Sequence, residues 1–335
     1  MNLIRDILDI PKTDKPIVLA MGCFDGVHIG HQKVISTAVE QAAAHGGETW
    51  IYTFNPHPAK VLCPDKAPPL ISAEPCRLRQ FEALGVHGVI EIPFTLEFAQ
   101  LTPDAFLSDL CQKAPTLSGI VCGQDWSFGY KASGTFQTLE TFGKQHGFTA
   151  TAVAPVMDGD HKISSTTIRN AVSEGNIPLA EKLLGRPFSL FGTVIHGNNI
   201  GRELGYPTAN IDPLNELIPA PGVYAAYTLL QESGVRGQES GVRSQKTEPV
   251  ICHSTPATQQ KRHPSAVFVG KRETFGCHKH VIESHLLGFD GDLYGQLLEV
   301  CLVEKTRDVH PFPTQEALIK QIEIDVAQIR QILIK

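Results

Sequence analysis

Two histidines three residues apart, His28 and His31, stand in the string Met21-Gly-Cys-Phe-Asp-Gly-Val-His-Ile-Gly-His31, between an apolar run, Ile17 to Met21, and a stretch of helical period. That arrangement suits chemistry on phosphates. Glycines at 22, 26 and 30 let the backbone turn sharply, and the start of the following helix offers unpaired N–H groups to an anion. His28 and His31 share one face of its first turn. A glycine-rich strand-to-helix loop with two incidental surface histidines would show the glycines without the whole string. The turn is therefore read as a nucleoside triphosphate site, with Gly22, Phe24, Asp25, Gly26 and Gly30 against the nucleotide and both imidazoles on its phosphates.

Three further segments add to it. Ile163-Ser-Ser-Thr-Thr-Ile-Arg169 supplies hydroxyls from Ser164, Ser165 and Thr166 at a helix start and an arginine one turn later, suited to grip β and γ phosphates. Ser and Thr also favour ordinary helix caps, so the weight comes from the company of the histidine turn. Asn55-Pro-His-Pro58 and Gly123-Gln-Asp-Trp-Ser-Phe-Gly129 follow two other apolar runs. Transfer at a phosphorus needs positioning and charge stabilisation more than a protein nucleophile. His28 and His31 are thus cast as phosphate stabilisers, with Asp125 on ATP, Arg169 on the departing pyrophosphate and Mg²⁺ bridging phosphate oxygens. Asn55, Pro56, His57 and Phe128 line the acceptor pocket.

The elements that must position these residues follow from periodicity. Ile17 to Met21, Thr49 to Phe54, Val86 to Ile92, Gly119 to Cys122 and Thr149 to Val153 alternate with helical stretches, which predicts a Rossmann-like α/β domain, a parallel sheet with helices on both faces. Ligands of such sheets gather at the carboxyl ends of the strands, where all three loops fall. A junction at Gly185-Arg-Pro-Phe188 separates this domain, 1–184, from a second, 185–335. There Phe188 to His196, Gly222 to Leu230, Ser265 to Val269, Val281 to Leu287 and Gln296 to Val303 suggest a small antiparallel β-barrel. A terminal helix, Thr314 to Lys335, carries Leu318, Ile322, Val326, Ile329 and Leu333 as one apolar stripe, read as packing onto the barrel. Residues 231–263, with a duplicated Gln-Glu-Ser-Gly-Val-Arg and few apolar residues, read as a disordered surface insertion without function.

The second domain has its own candidate site. Val194 to Asn210 combines glycines at 197, 201 and 205 with Pro207-Thr-Ala-Asn210, placing the Thr208 hydroxyl and Asn210 amide where they could hold a cation beside phosphates. A glycine-rich hairpin is the plain alternative. Val281 to Leu287 alternates as a strand, with Glu283 on the face opposite Ile282; pattern alone assigns that carboxylate no role.

Composition narrows the partners. The 335-residue chain is long enough for two domains, and its formal net charge of −6 with a pI near 6.2 argues against a nucleic-acid or anionic-membrane binder. The N-terminal MNLIRDILDIPKTDKP carries acids and no long apolar core, and no later run reaches membrane-spanning length, so a cytoplasmic protein is expected. The eight cysteines, at 23, 63, 76, 111, 122, 252, 277 and 301, include no Cys-x-x-Cys pair. Reduced structural thiols are expected, and a monomer or weak homo-oligomer.

The Val27-His-Ile-Gly-His31 string resembles that of nucleotidyltransferases and class I aminoacyl-tRNA synthetases, both of which direct attack onto the α-phosphorus of ATP. GCFDGVHIGH, TFNPHP, GQDWSFG and ISSTTIR, in this order, more specifically resemble the adenylyltransferase module of bacterial bifunctional riboflavin kinase/FAD synthetases. Trp126 departs from that family's usual phenylalanine but keeps an aromatic face. GxxxGxxLGxPTAN, GVYAAY and IESHLLGFDGDLYG, followed by a terminal helix, resemble its riboflavin kinase module. The resemblance implies that Glu283 is the general base on the ribityl hydroxyl, that Thr208 and Asn210 hold the metal, and that Arg307 helps close the flavin site. It also implies riboflavin, FMN, FAD and ATP as ligands. The segment Val267 to Phe275 and Lys305-Thr-Arg-Asp308 depart from the family's usual pattern, which leaves a monofunctional FAD synthetase with a degenerate barrel as the alternative. A flavin-binding regulator without turnover is disfavoured because His28, His31, Arg169 and Glu283 are all present. A tRNA synthetase is disfavoured because the chain lacks a basic anticodon-binding appendage.

Overall fold

A computed structural model describes residues 1–10, 14–197, 200–231, 261–274 and 277–334. In chain order the first elements are β1 (Asn2–Ile4), β2 (Ile17–Met21), α1 (Ile29–Ala44), β3 (Glu48–Asn55), α2 (Pro58–Leu62), α3 (Glu74–Ala83) and β4 (Gly88–Pro93). They are followed by α4 (Pro103–Lys113), β5 (Leu117–Gly123), α5 (Phe136–His146), β6 (Thr149–Val153) and a small hairpin, β7 (Met157–Asp158) and β8 (His161–Lys162). The rest comprises α6 (Ser165–Glu174), α7 (Ile177–Leu184), β9 (Ser189–Ile195), α8 (Ile200–Glu203), β10 (Ala209–Pro213), β11 (Gly222–Leu230), β12 (Arg262–Thr274), β13 (Cys277–Leu286), β14 (Leu297–Arg307) and α9 (Gln315–Leu333).

Two compact units share these elements: Met1–Pro69 with Arg77–Ser164, and Leu70–Cys76 with Ser165–Lys335. The first holds a six-stranded sheet in the order β1-β4-β3-β2-β5-β6, with every pairing parallel. Alternation along β2 sends Ile17, Leu19 and Met21 to one core with α4 and α5, and Val18 and Ala20 to another with α1. A strand buried on both faces must be apolar throughout, which is why Ile17 to Met21 reads as an unbroken run. The order reverses beside β2, whose neighbours are β3 and β5, so its carboxyl end opens at the point where crossovers diverge and leave a crevice. The three-residue edge strand β1 is too short to carry a period and escapes the sequence pattern.

In the second unit β10-β13-β12-β11-β14-β9 close into an antiparallel barrel. β10 carries an aspartate and ends at a proline, so it reads as a loop in sequence and is formed by pairing on both sides. β12 is longer than its apolar core: Arg262 and His263 open it, opposite Leu229 and Thr228, and Thr274 ends it opposite Cys277. Residues 232–260 of the sequence insertion lie outside the described residues.

The stripe of α9 divides its work. Ile329 and Leu333 pack onto Val223, Ala225 and Phe268 of the barrel, while Leu318, Ile322 and Val326 line a cavity instead. The stripe therefore lies against the barrel as expected, its C-terminal part in the core and its N-terminal part in a cavity wall shared with barrel residues. Thr314 caps α9 by accepting the Ala317 N–H at 3.2 Å, and Tyr227 donates its hydroxyl to the Leu333 carbonyl at 2.5 Å.

Candidate active sites

In the first unit the turn after β2 is built by backbone that only certain residues accept. Gly26 has φ +82°, and Phe24 and Val27 also adopt positive φ, a conformation that L side chains rarely enter and that marks a functional turn. Phe24 can do so because its ring is buried against Phe81, and a Cβ on Gly22 would come within 3.1 Å of that ring. Asp25 is buried within the turn.

His28 caps α1. Its Nδ1 accepts the His31 N–H at 3.3 Å, which requires Nδ1 to be unprotonated and leaves Nε2–H as the donor end of the ring. The two imidazoles stack with centroids 3.6 Å apart, and Gly30 allows this because a Cβ there would lie 3.1 Å from the His28 ring. His31 is held well below the ordinary value of 6.5 by desolvation and then by the charge of His28. Two stacked imidazolium rings are thereby avoided, and at neutral pH the His31 ring is uncharged. Cys23 in the same turn is pushed up to about 11 by burial and by Asp25, so its thiol stays protonated and is no nucleophile.

The other loops reach the same sheet end. Asn55 closes β3, and His57 caps α2 by accepting the Ala59 N–H. Asn55 donates its amide to Glu91 Oε2 at 3.0 Å, and Glu91 Oε1 takes Arg77 Nη2 at 2.5 Å. Both charges are buried. Removing one partner of such a pair typically costs about 3–5 kcal/mol, so the carboxylate under Asn55 is firmly held. Phe128 is buried and stacks on Trp126 at 4.6 Å and 14°. Asp125, by contrast, is exposed and ion-paired with Lys162 of β8. Ser164 ends the first unit, whereas Ser165, Thr166 and Arg169 lie on α6, in the second.

In the second unit a period of two divides β13 between two cavities. Glu283 and His285 face a cavity of about 290 Å³, and Ser284 and Leu286 face another of about 210 Å³. Thr208 lines both. The larger is walled by Val223, Phe268, Phe312, Ile322 and Val326, which suits a flat aromatic ligand; the smaller joins Arg202 to Asp290, Asp292 and Tyr294. Asn210 and Glu283 stand opposite each other across β10 and β13. A Cβ on Gly197 would fall 2.2 Å from the Asn210 amide, and one on Gly201 would fall 2.5 Å from the Tyr206 carbonyl and 3.0 Å from the Thr208 hydroxyl. These glycines thus make room for the Asn210 amide and the Thr208 hydroxyl, and Gly205, at φ +83°, turns the chain into Pro207.

Two residues of this site escape sequence reasoning. Asp325, buried on α9, takes Arg307 through Nε at 2.9 and 3.0 Å and Nη2 at 2.7 Å, and also accepts from Gln321. His285 Nδ1 lies 2.8 Å from the Pro207 carbonyl, which can only accept, so Nδ1 donates. For His285 a signal existed, its position two residues after Glu283 on a strand. Asp325 gave none, since an acid on an amphipathic helix reads as surface. The segment that departs at 267–275 is strand through Thr274: Val267 and Val269 are buried, and Phe268 enters the cavity wall. Lys305 pairs with Asp308 at 2.6 Å.

A chain that carries a parallel-sheet unit with a histidine turn at its switch point and also a barrel unit with a strand carboxylate and a Thr/Asn pair is a two-module nucleotide-dependent transferase. Residues 10–167 match the FAD synthetase family and residues 184–333 the riboflavin kinase family. The chain belongs to the bifunctional riboflavin kinase/FMN adenylyltransferase family. It is 32% identical over 332 residues to that enzyme of Escherichia coli K12, covering 99% of this chain and 97% of the relative. The Haemophilus influenzae enzyme is 31% identical, with 97% of each chain covered. A crystal structure of a macrolide-efflux protein from Streptococcus pneumoniae superposes with a TM-score of 0.81 at 29% identity over 98% of both chains. No helix among the described residues is long and apolar enough to cross a membrane.

Proposed function

We propose that the barrel moves the γ-phosphoryl group of ATP to the terminal ribityl hydroxyl of riboflavin, giving FMN and ADP. The parallel-sheet unit then joins FMN to the adenylyl group of a second ATP, giving FAD and pyrophosphate. The observation that carries the kinase step is Glu283 in the wall of the larger cavity with Asn210 opposite it in the ladder. With the isoalloxazine ring between the apolar walls, Glu283 takes the hydroxyl proton as the oxygen attacks phosphorus. That Thr208 lines both cavities supports a reading in which the hydroxyl and the γ-phosphate meet beside it. Asp325 keeps the Arg307 guanidinium aimed at the cavity, and Pro207 is tied to β13 by His285.

Thr208 and Asn210 offer the hard oxygen donors that Mg²⁺ takes, in a cradle that a Cβ on Gly197 or Gly201 would fill. Bound there with ATP, Mg²⁺ would neutralise charge on the phosphates. Gly197, Gly201, Gly205 and Pro207 carry the loop on which that ATP rests.

In the first unit, His28 and His31 donate to the phosphates of the second ATP, which Gly22, Phe24, Asp25, Gly26, Gly30 and Asp125 contact, while the FMN phosphate attacks the α-phosphorus. Ser164 is assigned to the leaving pyrophosphate, and Asn55, Pro56, His57 and Phe128 to the flavin. The cysteines at 23, 63, 76, 111, 122 and 301 are not joined in disulfides, which fits a reducing, cytoplasmic setting.

A chromatographic time course with riboflavin, ATP and Mg²⁺ tests both steps. FMN followed by FAD is expected. FAD formed only when FMN is supplied would overturn the kinase assignment.

A further inference from the structure

We propose that Glu91 is a positioning residue for adenylyl transfer: fixed by Arg77, it orients the Asn55 side chain so that its carbonyl oxygen is presented outward as an acceptor for an N–H of the flavin ring edge. This rests on the reading of Asn55 as part of the FMN pocket. Glu91 is 2% exposed and lies on β4, with Thr53 opposite it in the parallel ladder and Asn55 opposite Pro93. One carboxylate oxygen is held by Arg77 of α3 at 2.5 Å and the other receives Asn55 Nδ2 at 3.0 Å. A carboxylate only accepts, so it selects the N–H side of the amide and turns the oxygen away. A neutral amide or a hydroxyl at 91 would select neither side. Asn55, at the exposed end of β3, thus owes its orientation to a buried charge. The same strand is tied to the phosphate turn, because the Thr53 hydroxyl donates to the Cys23 carbonyl at 3.2 Å. The orientation imposed by Glu91 is therefore referenced to the turn that holds ATP, as in-line attack requires.

Steady-state FAD formation from FMN and ATP tests this, with riboflavin phosphorylation by the same sample as the control for folding. Glu91→Gln can donate as well as accept, which lets the Asn55 amide turn over; the KM for FMN is expected to rise about tenfold with kcat within about threefold. Asn55→Asp alone sets two carboxylates face to face and raises the same KM. Combined with Glu91→Gln, it exchanges donor for acceptor, returns an outward oxygen and is expected to restore the KM to within about threefold of the parent. An unchanged KM in Glu91→Gln with only a lowered melting temperature would show a purely structural pair and overturn the proposal. Should Glu91→Gln yield no folded protein, Asn55→Asp and its combination decide: restoration supports the proposal, and failure to restore overturns it. If Asn55→Ala leaves the KM for FMN unchanged, the FMN-pocket reading itself falls and takes the proposal with it. A raised KM in Asn55→Ala beside an unchanged one in Glu91→Gln rejects the proposal alone.

Discussion

Asn210 and Glu283 are direct partners in the β10–β13 ladder of the barrel, so the amide assigned to the metal and the carboxylate assigned to the hydroxyl proton stand on neighbouring strands in fixed register. A slip of one residue would send Glu283 to the face now held by Ser284.

Each module should fail alone. Glu283→Gln is expected to lower riboflavin phosphorylation by about 10²–10⁴-fold, the range of a lost general base, while FAD formation from supplied FMN persists. His28→Ala should do the reverse, lowering FAD formation about a hundredfold through loss of a preorganised donor. Separate assays from riboflavin and from FMN check both; equal loss of the two activities in either variant would refute modular chemistry.

Asp325→Asn removes the charge that holds Arg307. A rise of about tenfold in the KM for riboflavin is expected, with FAD formation from FMN unchanged. Initial rates over a range of riboflavin concentrations give the answer.

Gly197→Ala places a methyl group where the Asn210 amide now lies, 2.2 Å from Nδ2. The amide must swing away, so the Mg²⁺ concentration needed for half-maximal kinase rate should increase. Titration of the kinase reaction with Mg²⁺ measures it, and an unaltered midpoint would exclude Asn210 from the metal site.

His31 makes the first unit acid-sensitive. Its folded value lies well below 6.5, chiefly through desolvation, so the unfolded chain binds the proton more readily. Stability is therefore full above about pH 6.5 and is drawn down as pH falls toward the depressed value. Thermal melts between pH 7.5 and about 5 should show a falling midpoint, with a shallower slope in His31→Gln.

The Trp126 departure should be tolerated. Trp126→Phe keeps an aromatic face on Phe128 and is expected to hold FAD formation within about twofold of the parent. A larger loss, measured under FMN saturation, would mean that the indole is needed for more than stacking.

The sequence by itself determined the two modules, the buried strand ahead of the histidine turn, the facing of Glu283 away from Ile282 and the glycines of both loops. These are local properties: period, turn chemistry and residue type act within a few positions of one another. Tertiary structure alone decided which charges meet. Asn55 reaches Glu91 across 36 positions and Arg307 reaches Asp325 across 18, and no period encodes such a pairing. Tertiary structure also formed β10 by ladders on both sides, gave Thr208 to two cavities, and split the α9 stripe between barrel core and cavity wall. In each case the deciding term is a contact between distant segments, which exists only once the barrel or the sheet has closed.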